Sequence, residues 1–176
     1  AAKTLNDYYP DIPEIEISSI LVSKNKSKKE KENIKKRYGF SLISSDINEL
    51  LNDPTIDAFY IASPNNFHFE QVKLAIQNDK HVLCEKPMGM NIFETSEMLK
   101  LSKNKPNLVC NMVFEYRYIT AISEIKKIIS NNKLGEILQF RIMYLHGSYI
   151  DKRPITWRLK SGTGGALVDL APHVLD

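Results

Sequence analysis

Asp57-Ala-Phe-Tyr-Ile-Ala-Ser-Pro-Asn-Asn-Phe-His68 decides the reading of the fold. Its first six residues make a near-continuous apolar run, as in a strand buried on both faces of a parallel sheet. The polar turn Ser63-Pro-Asn-Asn-Phe-His68 then leads into a helix to about Asn78. Lys80-His-Val-Leu-Cys-Glu85 is a second buried strand, Asn91 with Glu94 opens a helix to about Lys103, and Leu108 to Val113 is a strand again. Upstream, Ile15 to Ser23 is rich in β-branched residues and predicts a strand. Ser27 is placed to cap a helix to about Tyr38, and Gly39 to end it. Phe40 to Ile43 reads as a short strand. Asp46 caps a short helix to Leu51, with Glu49 as the partner in a capping box. Residues 1–9 read as the tail of a helix closed by Pro10 and Pro13.

Strand and helix thus alternate strictly up to residue 113, which predicts an α/β fold. Its parallel sheet is doubly wound, with right-handed crossovers and helices on both faces. Ligands of such sheets bind outside the carboxyl ends of the strands. Ser63 to His68 and Glu85 to Pro87 both follow strand ends and fall on that edge. Farther on, Ile119, Ile122, Ile125, Ile128 and Ile129 make a helical stripe suited to core packing. Glu136 to His146 alternates in part and reads as a longer strand of a second, more open sheet. The expected division is residues 1–118 as one domain and 119–176 as the beginning of another. A dinucleotide-binding sheet should open with a strand and a glycine-rich turn. No G-x-G-x-x-G occurs, so the chain reads as an internal piece of a longer protein, without that turn or most of the second sheet.

Composition removes several alternatives. No apolar run among the 176 residues approaches the length of a membrane span, and no secretory pattern opens the chain. Cys84 and Cys110 lie in apolar runs and read as buried free thiols in a reducing, cytoplasmic setting. No Cys/His cluster has zinc spacing, so no metal is expected. The net charge is +3, yet lysines crowd residues 24–37. With no aromatic residues interleaved, that run reads as a solvated helix face rather than a nucleic-acid site.

Near the end of the chain, the glycine cluster from Gly162 to Gly165 should open a helix on which Asp169 and His173 share one face. A carboxylate beside an imidazole can orient it and raise its basicity, which suits general acid–base work. Surface pairs have the same spacing, so the reading needs a second site; Cys84-Glu-Lys-Pro87 supplies it.

Four segments together resemble one family. They are Ser63-Pro-Asn-Asn-Phe-His68, Cys84-Glu-Lys-Pro87, Phe114-Glu-Tyr-Arg-Tyr118, and Trp157-Arg158 followed by Gly164-Gly-Ala-Leu-Val-Asp-Leu-Ala-Pro-His-Val-Leu-Asp176. In order and spacing they are similar to the Gfo/Idh/MocA oxidoreductases. The resemblance implies a Rossmann domain followed by an α/β domain with a large open sheet. It also implies hydride transfer between NAD or NADP and a carbinol carbon of a sugar, inositol or related diol. Lys86 would lie near the nicotinamide and the reacting oxygen, with Pro87 joined by a cis peptide. Ser63, Pro64, Asn65 and His68 would line the nicotinamide and ribose end, and Glu85 the ribose. Asp169 and His173 would bind substrate and move the proton. Lys86, Asp169 and His173 are therefore the catalytic candidates, and either Lys86 or His173 the proton acceptor. His81 and His146 read as structural. Homo-oligomerisation through the C-terminal sheet is a further implication.

Dinucleotide folds usually mark NAD preference with an acidic residue at the end of the second strand. The corresponding strand here ends Leu21-Val-Ser-Lys-Asn25, without an acid. Ser23 and Lys24 suit a 2′-phosphate instead, so the lean is toward NADP. A non-catalytic dinucleotide-binding sensor of the same fold is the alternative. Retention of Lys86, Asp169 and His173 together favours an enzyme.

Overall fold

The computed structural model describes residues 11–13, 15–145, 147 and 164–176. The helix tail expected over residues 1–9, as well as Pro10, His146, Trp157, Arg158 and Gly162, lies outside the described residues. The chain divides into two compact units, residues 1–57 and 58–176.

In the first unit, β1 (Ser19–Leu21) pairs in parallel with β2 (Leu42–Ser44), Ile20 opposite Ile43. Both strands are shorter than their apolar runs. They are joined through α1 (Lys28–Tyr38). Ser27 and Glu30 form a reciprocal capping box at its start, and Gly39 ends it in the left-handed conformation at φ 78°. A residue with a Cβ is strained there, which explains the glycine. The box expected at Asp46 and Glu49 is corrected. Asp46 caps α2 (Ile47–Leu51) through the Asn48 N–H, while the Glu49 carboxylate accepts from the Ser44 hydroxyl. Glu49 thus joins buried Ser44, whose hydroxyl oxygen also accepts from the Asp46 N–H, instead of turning back to the cap. Leu50 and Leu51 supply the buried apolar side of this unit. The lysines of α1 lie on an exposed helix, as expected of a solvated face.

The second unit is built on β3 (Ala58–Ile61), β4 (His81–Glu85) and β5 (Cys110–Val113), all parallel, in the order β3-β4-β5. α3 (His68–Gln77) joins β3 to β4, and α4 (Ile92–Lys103), capped by Asn91, joins β4 to β5. All of these neighbouring strands run parallel, as the strands of a doubly wound sheet do.

Register explains the core. Ile61 faces Cys84, and Cys84 faces Met112; Val82 lies opposite Phe59 and Cys110. On this sheet face Val82, Cys84, Cys110 and Met112 line a cavity of about 100 Å³ together with Val72 and Ile76 of α3 and Met98 of α4. The expectation that β3 and β4 are buried on both faces is corrected. Tyr60 and Leu83, on the opposite face, are 61% and 43% exposed. Both crossover helices of this unit lie over one face, so among the described residues the apolar run does not report cover on two sides.

Past β5, a 3-10 turn (Glu115–Tyr118) leads to α5 (Thr120–Ser130). Its isoleucine stripe, expected to be core, is also corrected: Ile122 and Ile125 are 41% and 51% exposed. Periodicity identifies an apolar face, but cannot say what covers it. Residues 137–145 pair with no described strand, so the strand expected from Glu136 is not formed among the described residues. Short helices α6 (Ala166–Asp169) and α7 (Ala171–Leu175) complete the described chain.

Candidate active site

Two loops at the carboxyl ends of neighbouring parallel strands carry most of the candidate residues. After β3, the Ser63 hydroxyl donates to Gln71 Oε1 at 2.7 Å, and the Pro64 carbonyl accepts from the Phe67 N–H at 2.9 Å. Asn65, 1% exposed, opens the 3-10 turn Asn65–Phe67. At the tip of β4, Glu85 Oε1 accepts from the Tyr60 hydroxyl at 2.7 Å. Burial, then this hydrogen bond, pushes the Tyr60 phenol up to about 12. The Lys86–Pro87 peptide is cis, as expected. Gly89 lets the loop close on α4: a Cβ there would stand 3.0 Å from Glu94 Cβ. The Glu94 carboxylate in turn accepts from the Met90 N–H.

Lys86 joins this edge to the far end of the chain. Its ammonium donates to the Asp169 main-chain oxygen at 2.7 Å and to Asp169 Oδ1 at 2.9 Å. The two side chains are only 15% and 20% exposed. The sequence explains why that main-chain oxygen faces a lysine. Pro172 has no N–H to return to the Val168 carbonyl, so one continuous helix cannot form. The helix breaks at Leu170 and the His173 N–H turns to the Leu170 carbonyl at 3.1 Å. Asp169 O is left to accept from Lys86.

The expectation that one helix presents Asp169 and His173 as a hydrogen-bonded pair is corrected by the same break. The Asp169 carboxylate goes to Lys86. His173 Nδ1 is buried and hydrogen-bonds to none of the described residues. Its side chain, 7% exposed, lies against Tyr116, ring centroids 5.0 Å apart, and against Tyr144 at 6.2 Å. The nearest carboxylate oxygen that pairs with Nδ1 is Glu115 Oε1 at 3.6 Å, beyond hydrogen-bond reach.

His68 sits apart from this cluster. It is 1% exposed, with both ring nitrogens against backbone carbonyl oxygens. In the first unit, Ser23 and Lys24 follow β1 and are exposed; Ser23 Oγ accepts from the Asn25 N–H at 3.3 Å. His81 is structural, its Nδ1 accepting from the Val109 N–H at 2.9 Å.

Comparison with known proteins decides what this arrangement belongs to. The Gfo/Idh/MocA model, an oxidoreductase family with an NAD-binding Rossmann fold, matches residues 5–113, and the model of the family's C-terminal domain matches residues 122–176. The chain belongs to the Gfo/Idh/MocA oxidoreductase family. It is 37% identical to a levoglucosan dehydrogenase of Pseudarthrobacter phenanthrenivorans, over 80% of this chain and 37% of that protein. It is 30% identical to a scyllo-inositol 2-dehydrogenase (NADP(+)) of Bacillus subtilis, over 94% of this chain and 44% of that one. A solved NAD-binding oxidoreductase of Klebsiella pneumoniae superposes with a TM-score of 0.85 at 30% identity, covering 99% of this chain and 46% of that one. The chain thus spans less than half the length of these relatives.

Within this family member, three residues near His173 carry contacts that sequence reasoning did not give them. Tyr116 and Tyr144 share a hydrogen bond between hydroxyls at 2.7 Å. The Tyr144 hydroxyl holds the Tyr116 phenol above its usual range. Arg117 forks onto the Asp176 carboxylate, with Nε 2.7 Å from Oδ2, and so ties the turn carrying Glu115 and Tyr116 to the end of α7. For Tyr116 and Arg117 the signal was the run Phe114 to Tyr118, visible as a segment but silent about its partners; Tyr144 stood in the run read as a strand.

Proposed function

We propose that the full-length protein is an NAD(P)-dependent oxidoreductase acting on a carbinol carbon of a sugar, inositol or related polyol. The contact of Lys86 with Asp169 carries this reading, because it brings the cofactor edge of the sheet to the segment bearing His173. The donor set at that edge fits a dinucleotide: hydroxyl, amide, carboxylate and ammonium groups at the tips of adjacent parallel strands. Ser63, Pro64, Asn65, Glu85, Lys86 and Pro87 would hold its nicotinamide and ribose end. When bound, the dinucleotide supplies hydride chemistry, accepting from a carbinol or donating to a carbonyl.

The side chains do the remainder. The Lys86 ammonium stabilises negative charge that develops on the reacting oxygen. Asp169 fixes that ammonium through two oxygens. The His173 imidazole would exchange the proton with the substrate hydroxyl; its buried Nδ1, which hydrogen-bonds to none of the described residues, supports this role. The separate matches to residues 5–113 and 122–176 support a domain boundary near residues 118 and 119. Pairing of two subunits through the second domain and residence in the cytoplasm complete the proposal.

The dinucleotide is NADP by preference, since Ser23 and Lys24 offer a hydroxyl and a cation where NAD enzymes place an acid. One relative is named for NADP(+), whereas a levoglucosan dehydrogenase structure contains NADH. Comparing kcat/KM for the two dinucleotides tests this. A strong NAD preference that survives Lys24→Ala refutes it.

The main reading is tested with the full-length protein, both dinucleotides and a panel of inositols and pyranoses, following formation of reduced dinucleotide. Turnover of at least one polyol, lost in Lys86→Ala, is the expected result. Dinucleotide binding without turnover across the panel would make the protein a sensor.

A further inference from the structure

His68 Nδ1 lies 2.8 Å from the Pro87 carbonyl oxygen, and Nε2 lies 2.9 Å from the Ser63 carbonyl oxygen. Both partners only accept hydrogen bonds. Whichever ring nitrogen carries a proton donates it to the carbonyl that it faces. At 1% exposure, little water competes for that donor, and losing it would leave a buried acceptor unmet.

We infer that His68 is a positioning residue, a strap between the loop after β3 and the loop after β4. The two bonds join backbone atoms next to the candidate cofactor residues: Ser63 precedes Pro64 and Asn65, and Pro87 follows Lys86. They hold the carbonyls themselves, so the strap sets the separation of the two loops whatever their side chains do. It also accounts for a histidine at a helix start where no ring atom is left for a ligand. Asn or Gln offers one amide nitrogen and cannot span two carbonyls on opposite sides of a ring. The consequence for catalysis rests on the proposal that these loops hold the dinucleotide. The hydrogen bonding of the ring does not.

The test has two arms. Nitrogen NMR of the full-length protein labelled in histidine, with His68→Gln used for assignment, reads the ring directly. A ring N–H protected from exchange with solvent is expected, and a freely exchanging ring overturns the strap. This arm needs neither cofactor nor turnover, so it stands even if the proposed activity fails. In the second arm, His68→Gln and His68→Leu are compared for dinucleotide Kd and for kcat. A misplacement of about 1 Å costs on the order of 100-fold in rate. His68→Leu should approach that loss in kcat and raise the Kd, with His68→Gln between it and the native protein. Native values of Kd and kcat in a folded His68→Leu protein would overturn the positioning role.

Discussion

Lys86 reaches Asp169 through two oxygens at once, main-chain and carboxylate, across eighty-three residues of sequence. The main-chain contact survives any substitution at Asp169 that keeps the backbone path. The carboxylate contact does not. Asp169→Asn should therefore lower kcat/KM less than Lys86→Met, which removes the ammonium itself. Losses on the order of 100- to 1000-fold are expected for Lys86→Met, the scale of a single electrostatic group acting on the transition state. Steady-state kinetics on both variants, with Tm as a control for folding, gives the ranking. The reverse ranking would place the essential charge on Asp169.

Pro172 should matter for the same contact. In Pro172→Ala, the new N–H can reach the Val168 carbonyl, and a single helix can run from α6 through α7. The His173 N–H would then return to the Asp169 carbonyl and compete with Lys86 for it. The expected outcome is equal or higher Tm with kcat/KM lowered on the order of 10-fold. Gain of stability with undiminished activity would show that the freed carbonyl is not needed.

Local grammar made much of the fold legible. Ser27, Gly39, Asp46 and Asn91 mark helix ends by their own chemistry, and structure and sequence agree at each. Cover and partner choice were not local. The isoleucines of α5 and the outer face of β3 and β4 carry the same pattern whether or not another element lies on them. Glu49 was matched to the nearest cap because its competitor, Ser44, is buried only in three dimensions. At the site, the residue types were readable from short motifs, but the pairing was not. Spacing joined Asp169 to His173, while Pro172, three residues beyond Asp169, redirected the helix and gave Asp169 to Lys86.

Arg117 and Asp176 give a pH-dependent prediction. The Arg117 guanidinium, through its hydrogen bonds, holds the Asp176 carboxyl below the usual carboxylate range. A carboxyl depressed in the folded state stabilises it above the unfolded value, near 3.9, and loses that contribution as pH falls through the lower folded value. The native protein should therefore lose more stability below about pH 4 than Asp176→Asn does. The pair is largely exposed on the arginine side, so the difference should stay within about 1 kcal/mol. Denaturant unfolding of both proteins at acidic and neutral pH measures it. Parallel acid limbs would mean that the fork is not held in solution.

Cys84 should be inert in the folded protein although it lies two residues before Lys86. Burial, then the Glu85 carboxylate, pushes its thiol up to about 12. The thiolate is the reactive form, so at pH 8 only on the order of one molecule in ten thousand carries it, against roughly a quarter for an ordinary thiol. The linked stability is fully present below the unfolded thiol value, near 8.5, and declines as pH rises toward about 12. Cys110 is also raised by burial, so Cys110→Ser isolates the Cys84 signal. In that variant, a thiol reagent at pH 8 should react at the rate of unfolding and then rapidly in denaturant. Fast labelling of the native variant would mean that the β4 tip opens. Because Cys84 packs in the core directly opposite Ile61 and Met112, such opening would also release Lys86 from Asp169, and loss of activity should then track labelling.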